Sequence, residues 1–364
     1  MKRFLIRIWK FWILTIVRLN STSSNRHLSS PLKPRVFYSG ALGGSRGGPR
    51  VKILRLQKRF PRHSVGFNLV YALSNYPYLT TEAIHHIKSR GIPLVLNQNG
   101  VYSSGWYGQG WQERNTANAN IYQNCDYVFW QSKFARESAR NFLSSIEPDG
   151  EILHNAVDLS LFYPVKKATP VKYFRFLLAG NFSSLSNLYQ IQSCLEALAL
   201  IRNRSHITVV FAGLSRELEL ISLKLAKSLK VDDSLEFVGK FSQNQCPQLM
   251  QSVDTYIALK FQDTCPNLVI ESLASGVPII YSATGGTIEL VDEKCGIGLH
   301  VPGDWSSTPQ APKPYELATA MESIIETFEE MGVAARTKAE ESFDIRNWYT
   351  RHSIIFENLI SERL

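Results

Sequence analysis

From residue 35 onward, short apolar runs alternate with longer stretches whose apolar positions recur every three or four residues. Runs of the first kind predict strands at 35–38, 67–72, 93–96, 127–131 and 150–153, and stretches of the second predict helices at 50–59, 80–89, 112–124 and 133–143. A second series follows, with strands at 174–179, 208–212, 235–238, 255–258 and 278–281. Its helices fall at 189–202, 217–229, 245–252 and 268–275. Strands separated by helical stretches make right-handed βαβ units and a parallel sheet, here twice over. The break between the series falls near 155–164, and the chain closes on a helical tail, 315–364, interrupted near Phe343. The predicted class is α/β, with two Rossmann-like, doubly wound parallel-sheet domains facing a cleft at the carboxyl ends of their strands. The expected divisions are a basic segment and linker over 1–34, a first domain over 35–157, a second over 158–342, and a closing segment, 343–364.

The first nineteen residues, MKRFLIRIWKFWILTIVRL, form a different pattern. The longest uncharged run, 11–17, is too short to cross a bilayer, which takes roughly 20 apolar residues. On a helical wheel Arg3, Arg7, Lys10 and Arg18 share one narrow stripe. Phe4, Leu5, Ile8, Trp9, Trp12, Ile13, Ile16 and Val17 fill most of the rest. That pattern predicts a helix lying in the headgroup plane of an anionic membrane, with a helical extension packed on the protein as the alternative. Residues 20–34, rich in Ser and Pro, then predict a linker.

Charge sharpens this picture. The net charge is +9, but residues 1–155 hold 21 Lys and Arg against 7 Asp and Glu, a net +14, while the remainder holds 19 against 24, a net −5. Anionic lipid or a phosphorylated acceptor suits the basic half. No RRM, KH, helix-turn-helix or Cys/His finger spacing is present, so nucleic acid is not an expected partner. The five cysteines are widely spaced without a C-x-x-C, which is neither a disulfide framework nor a zinc site and suits a reducing compartment.

The densest chemistry lies in residues 263–291, DTCPNLVIESLASGVPIIYSATGGTIELV. Asp263 and Glu271 stand with seven residues between them, joined by a Cys-Pro-Asn turn that opens a helix. Pro266 fits the helix entry and Asn267 the cap. Unpaired backbone N–H groups at that helix start suit a diphosphate, and Glu271, one turn in, can accept from vicinal ribose hydroxyls. Gly276, Gly285 and Gly286 permit close backbone approach. A second glycine-rich loop, Gly40 to Pro49, follows the first strand without the G-x-G-x-x-G spacing and without an acid about twenty residues on. That disfavours a dinucleotide enzyme.

These residues carry a resemblance. The segment from Asp263 to Glu289 is similar to the E-x7-E signature of retaining glycosyltransferases, in particular glycosyltransferase family 4, with Asp in place of the first Glu. Asn155-Ala-Val-Asp158, with Phe162 and Pro164, resembles the N-G-V-D-x-x-x-F-x-P hinge strand, with Ala in place of Gly. Gly43 and Gly44 match the family's N-terminal glycine loop. DYVFWQS (126–132) is similar to its strand before the hinge, and 343–348 to the tail leading into a helix that crosses back to the first domain.

The resemblance implies a GT-B fold and a retaining, metal-independent transfer of a sugar from a nucleotide-sugar to a glycan or lipid-linked acceptor, with no further cofactor. It implies that Glu271 holds the ribose and Asp263 the hydroxyls of the transferred sugar. Gly43, Gly44, Asn181, Lys260, Pro266, Asn267, Leu268 and Thr284, Gly285, Gly286 and Thr287 form the donor set. Asn99 takes the place of a family His near the reacting sugar. In such retaining enzymes the departing phosphate helps deprotonate the acceptor, so no protein nucleophile is expected. Three departures stand out: Asn99 itself, the absence of the family's Arg/Lys pair from 179–186, and Lys260 where a small residue is common. Lys260, Lys240, Arg46 and Arg50 are the candidate replacement cations. A homologue that binds sugar or nucleotide without transferring it is the alternative. The basic helix face of Arg50, Lys52, Arg55, Lys58 and Arg59 is a candidate patch for anionic lipid or a phosphorylated acceptor. Trp106, Tyr107, Trp111 and Arg114 form a candidate sugar-stacking wall. The expected place of action is the cytoplasmic face of a membrane.

Overall fold

In the computed structural model, residues 2–20, 33–45, 47–165 and 173–363 are described, with side chains from residue 4 on. The expected linker at 20–34 and Arg46 therefore fall wholly or largely outside the described residues. The chain forms two compact units, Met1–His154 with Arg346–Leu364, and Asn155–Ile345.

The first unit begins with α1 (Lys2–Leu19), then runs β1 (Val36–Phe37), α2 (Gly48–Arg59), β2 (Leu69–Leu73), α3 (Thr81–Ser89) and β3 (Leu94–Gln98). It continues with α4 (Ser104–Tyr107), α5 (Trp111–Tyr122), β4 (Tyr127–Trp130), α6 (Lys133–Phe142) and β5 (Gly150–Ile152). The strands pair in parallel in the order β1-β2-β3-β4-β5. Every residue of β2 and β3 is buried, which is why β2 and the first three residues of β3 read as unbroken apolar runs rather than alternating ones, while β3 ends on the buried amides Asn97 and Gln98.

The second unit runs β6 (Phe174–Phe182), α7 (Leu188–Leu200), β7 (Ile207–Leu214), α8 (Arg216–Leu229), β8 (Leu235–Val238) and α9 (Cys246–Gln251). Then come β9 (Thr255–Ala258), α10 (Asn267–Ala274), β10 (Ile279–Ser282), β11 (Gly296–Leu299) and α11 (Pro314–Ser342). Its parallel sheet has the order β11-β10-β9-β6-β7-β8. Alternate residues of β6 and β7 feed two cores: Leu177, Ala179, Val210 and Ala212 join one, and Phe176, Leu178, Val209 and Phe211 the other. The sheet is thus covered by helices on both faces, as a doubly wound unit requires.

Strand β11 is absent from the sequence prediction. A Cβ on Gly296 would meet the Ile279 carbonyl oxygen at 2.5 Å, and one on Gly298 the Tyr281 hydroxyl at 2.8 Å. The close approach requires glycine, and glycine argues against a strand by propensity. The hinge and tail motifs meet in the second unit: Val157 N–H donates to the Phe343 carbonyl at 2.8 Å, and Ile345 N–H to the Val157 carbonyl at 3.0 Å.

The final helix, α12 (Ile345–Ser361), packs against the first unit. Tyr349 donates to the Arg55 carbonyl at 2.8 Å, and Arg351 pairs with Glu151 at 2.6 Å. His352 is wholly buried between Tyr71, Phe129 and Trp348. Burial pushes its pKa down to about 3. The neutral ring then donates from Nδ1 to the Trp348 carbonyl at 2.8 Å and accepts the Tyr71 hydroxyl at Nε2, 3.2 Å away.

At the other end, α1 is part of the first unit's core. Ile13, Leu14 and Val17 are buried among Phe37, Phe67, Val70 and Ile84. Arg90 caps the helix, donating to the carbonyls of Val17 (2.8 Å), Arg18 (2.9 Å) and Asn20 (2.7 Å). The expectation that Trp9, Ile13 and Val17 face lipid is therefore corrected: Trp9 is half-buried and donates to the Gly40 carbonyl at 3.2 Å, while Ile13 and Val17 are core.

Candidate functional site

The acids singled out in the second unit stand around the entry to α10. Pro266 is the N-cap of this helix, with β-region torsions, and Asn267 is its first residue rather than its cap. Pro266 makes no side-chain cap hydrogen bond, and the first N–H groups of any helix lack an intrahelical partner. The turn before it is clamped by the hinge motif: Asn155 donates from Nδ2 to the Cys265 carbonyl at 2.8 Å and from its backbone N–H to Cys265 Sγ at 3.3 Å.

Glu271 is 1% exposed. Its Oε1 accepts from Gln243 Nε2 at 2.8 Å and its Oε2 from the Cys246 thiol at 3.2 Å. Both carboxylate oxygens are thus held by donors of the second unit. Neither Gln243 nor Cys246 was singled out from the sequence, since nothing in their local pattern marks them.

Asp263 lies before the turn, three-quarters or more shielded, and its Oδ2 is 2.8 Å from Lys260 Nζ. Lys260 is 62% exposed at its side chain, and the Asp263 charge raises its pKa. Of the candidate cations, Lys260 is thus already half of an ion pair. Lys240 is exposed on the segment after β8, and Arg50 is exposed near the start of α2.

The threonine–glycine segment closes on the same loop. Gln262, at φ 50°, donates its N–H to Thr284 Oγ1 at 3.0 Å, and Gly286 N–H donates to the Asp263 carbonyl at 2.8 Å. A Cβ on Gly285 (φ 63°) would lie 2.6 Å from the Asp263 carbonyl oxygen, so only glycine allows this closure. Thr287 is buried, and Leu268 is partly buried against the core. Tyr189 completes the loop by accepting the Phe261 N–H at 3.0 Å, and burial raises its pKa. Asn181 is exposed at the end of β6. Lys260, Asp263, Pro266, Asn267, Glu271 and 284–287 thus belong to one connected loop system at the carboxyl ends of β9 and β10.

The remaining predicted residues belong to the first unit. Gly44 N–H donates to the Arg50 carbonyl at 3.1 Å, and a Cβ on Gly43 would press on the Leu54 backbone at 3.3 Å, so both glycines are packed against α2. Asn99 follows β3 and is buried, its N–H donating to Ser74 Oγ at 2.9 Å. Lys52 corrects the reading of α2 as a basic face. It is buried, and its Nζ donates to Asn97 Oδ1 at 2.7 Å and to Asn99 Oδ1 at 3.4 Å. Gln131 Nε2 donates to the same Asn97 oxygen at 2.8 Å. The proposed aromatic wall also divides: Trp106 and Tyr107 cluster with Tyr102, with Arg114 over Tyr107, whereas Trp111 packs edge-to-face on Phe142.

Comparison with known proteins bears on this site. Residues 173–326 match the model of glycosyl transferases group 1. The chain is 29% identical to D-inositol 3-phosphate glycosyltransferase of Salinispora arenicola over a stretch covering 31% of this chain and 28% of that protein. Among solved structures, sucrose-phosphate synthase from Thermosynechococcus elongatus has a TM-score of 0.66 at 17% identity, covering 85% of this chain and 77% of that one. HepE of Anabaena, solved in complex with UDP, has a TM-score of 0.65 at 16% identity, covering 85% and 82%. The chain has the GT-B fold of these glycosyltransferases, and its second unit carries the glycosyl transferases group 1 pattern over residues 173–326.

Proposed function

We propose that this chain is a retaining, metal-independent glycosyltransferase that moves a sugar from a nucleotide-sugar to a glycan or lipid-linked acceptor at an anionic membrane surface on the cytoplasmic side. The observation that carries it is the pairing, on one loop system, of the buried carboxylate of Glu271 with the Lys260–Asp263 ion pair across an uncapped helix entry. A carboxylate, which accepts from hydroxyl donors, suits vicinal ribose hydroxyls. Helix-start N–H groups and an ammonium suit the charge that grows on a leaving diphosphate. Asp263, held by Lys260, is placed to accept from hydroxyls of the transferred sugar. The basic first unit takes the acceptor, with Asn99 donating to a sugar oxygen; Asn cannot serve as a base. The glycosyltransferases with the same fold, HepE with UDP and glucose among them, make UDP-sugars the first donors to test.

The test incubates the protein with UDP-, GDP- and ADP-sugars, with and without EDTA, and follows nucleotide release and product anomer by NMR. Release with retained configuration, undiminished by EDTA, is the expected result. Loss of turnover in EDTA with rescue by Mg²⁺ or Mn²⁺ rejects the metal-independent scheme. Tight binding without transfer or hydrolysis hands the chain to the alternative, a sugar- or nucleotide-binding homologue.

A further inference from the structure

Helix α1 has two apolar faces, and the protein uses only one. Ile13, Leu14 and Val17 are buried, and Trp9 and Asn20 bond back to the first unit. Phe4, Leu5, Ile8, Phe11, Trp12 and Leu19 are exposed, Phe11 at 66% and Trp12 at 58%. At 3.6 residues per turn these six fall within one arc of about 120°, with only Thr15 among them. Arg7, exposed, and Arg18, paired with Glu82, border that arc along one edge. Monomeric proteins rarely leave so many large apolar side chains contiguous in water.

We propose that α1 is a bilayer-docking face built rigidly into the first unit. Phe4, Leu5, Ile8, Phe11 and Trp12 enter the headgroup–acyl boundary of an anionic leaflet, and Ile13, Leu14 and Val17 stay in the protein. This deepens the membrane part of the proposed function and does not depend on glycosyl transfer. Charge chooses lipid over a protein partner: the face sits in the half of the chain with net +14, and an Arg-flanked row of Phe, Trp, Leu and Ile is the composition of interfacial helices. Among the described residues no helix is long and apolar enough to span a bilayer, so the face lies on the membrane. The attachment is stiff. A Cβ on Gly40 would meet Ile13 at 2.3 Å and Trp9 at 2.9 Å, so the helix lies directly on the turn that opens the glycine-rich loop. Docking therefore orients the whole first unit.

The test is co-sedimentation of the full chain, without donor, with vesicles of phosphatidylcholine alone or mixed with phosphatidylglycerol. The expected result is binding to the anionic vesicles only, weakened by salt, and lowered at least about tenfold in F11E/W12E with an unchanged melting temperature. Wild-type binding undiminished in that variant overturns the assignment of the face. Equal binding to both vesicle types overturns the choice of an anionic leaflet. No vesicle binding, with sedimentation velocity showing an oligomer that the double variant dissolves, makes the face a protein interface. No binding by either protein and no oligomer also overturns the proposal. A protein that docks but shows no turnover leaves the inference standing while the transferase reading fails.

Discussion

At the scale of single residues, the candidate site turns on Glu271 and the way it is already bonded. Gln243 and Cys246 donate to its two oxygens inside the second unit. Truncation to Ala would remove the acceptor from both donors and leave a cavity behind, so E271Q is the cleaner probe. Loss of charge-assisted hydrogen bonds to ribose should weaken the donor by about 1.5–3 kcal/mol, read by calorimetric titration. Unchanged affinity in folded E271Q would remove Glu271 from the donor site. Lys260 offers the opposite case. Its side chain is 62% exposed, and exposed ion pairs add little to stability. K260A should therefore stay within about 0.5 kcal/mol of the parent on unfolding. If Lys260 faces the leaving diphosphate, turnover should nevertheless fall on the order of 10²–10³-fold, the scale for one lost preorganised donor. A K260A enzyme as fast as the parent would remove Lys260 as the replacement for the missing Arg/Lys pair and leave Lys240, Arg46 and Arg50. The acids, their turn and Gly285 stood in one local string and were legible there. Gln243, Cys246 and the Asn155 clamp on Cys265 were not, because their meaning is their three-dimensional contact with that string.

At the scale of elements, most strands and helices followed from the period of their apolar residues. Failures came where tertiary contact overrides local preference. Strand β11 was lost to its two glycines, which the neighbouring strand demands. For helix α1 a wheel shows apolar positions without saying which face meets protein, so the interfacial helix and the helix packed on the protein stand as alternatives in the sequence, whereas Ile13, Leu14 and Val17 are buried. Lys52 was grouped with its basic neighbours, although its position on α2 turns it inward to Asn97 and Asn99. Helix α12 supplies a prediction of its own. His352 is held neutral in the folded state, with its pKa depressed to about 3, while an unfolded His titrates near 6.5. Below about pH 6.5 the unfolded chain takes up a proton that the folded chain refuses. Stability should therefore fall as acid is added, by roughly 1.4 kcal/mol per pH unit at most, and flatten near the folded pKa. Urea unfolding of the parent at pH 7 and pH 5, compared with H352Q, isolates this contribution. The variant should be less stable at pH 7 and lose less on acidification. A parallel loss in both proteins would mean that the imidazole is not the acid-sensitive group in α12.

At the scale of the whole molecule, the sequence divides its chemistry as it divides its charge. The basic half, net +14, contains the glycine-rich loop, Lys52, Asn99 and the exposed face of α1. The remainder, net −5, contains Glu271, the Lys260–Asp263 pair and the group 1 pattern. A nucleotide-sugar carries two negative phosphates, and a mildly acidic unit would repel it unless local groups prevailed. Here the local groups are the uncapped start of α10 and the ammonium of Lys260, on one loop system. Net charge acts at long range and is screened over about 8–10 Å at ordinary ionic strength, whereas helix-terminus donors act at contact. The donor should accordingly stabilise the second unit even though that unit is the acidic one. At 100 times its dissociation constant it should add roughly 2.7 kcal/mol to that unit's unfolding. Amides of 263–290 should gain protection from hydrogen exchange, and amides of β2 and β3 in the first unit should be unaffected. N99A should leave donor affinity unchanged and act only on transfer. Protection confined to the first unit, or a donor affinity that collapses in N99A while E271Q binds normally, would reverse the assignment of donor and acceptor between the two units.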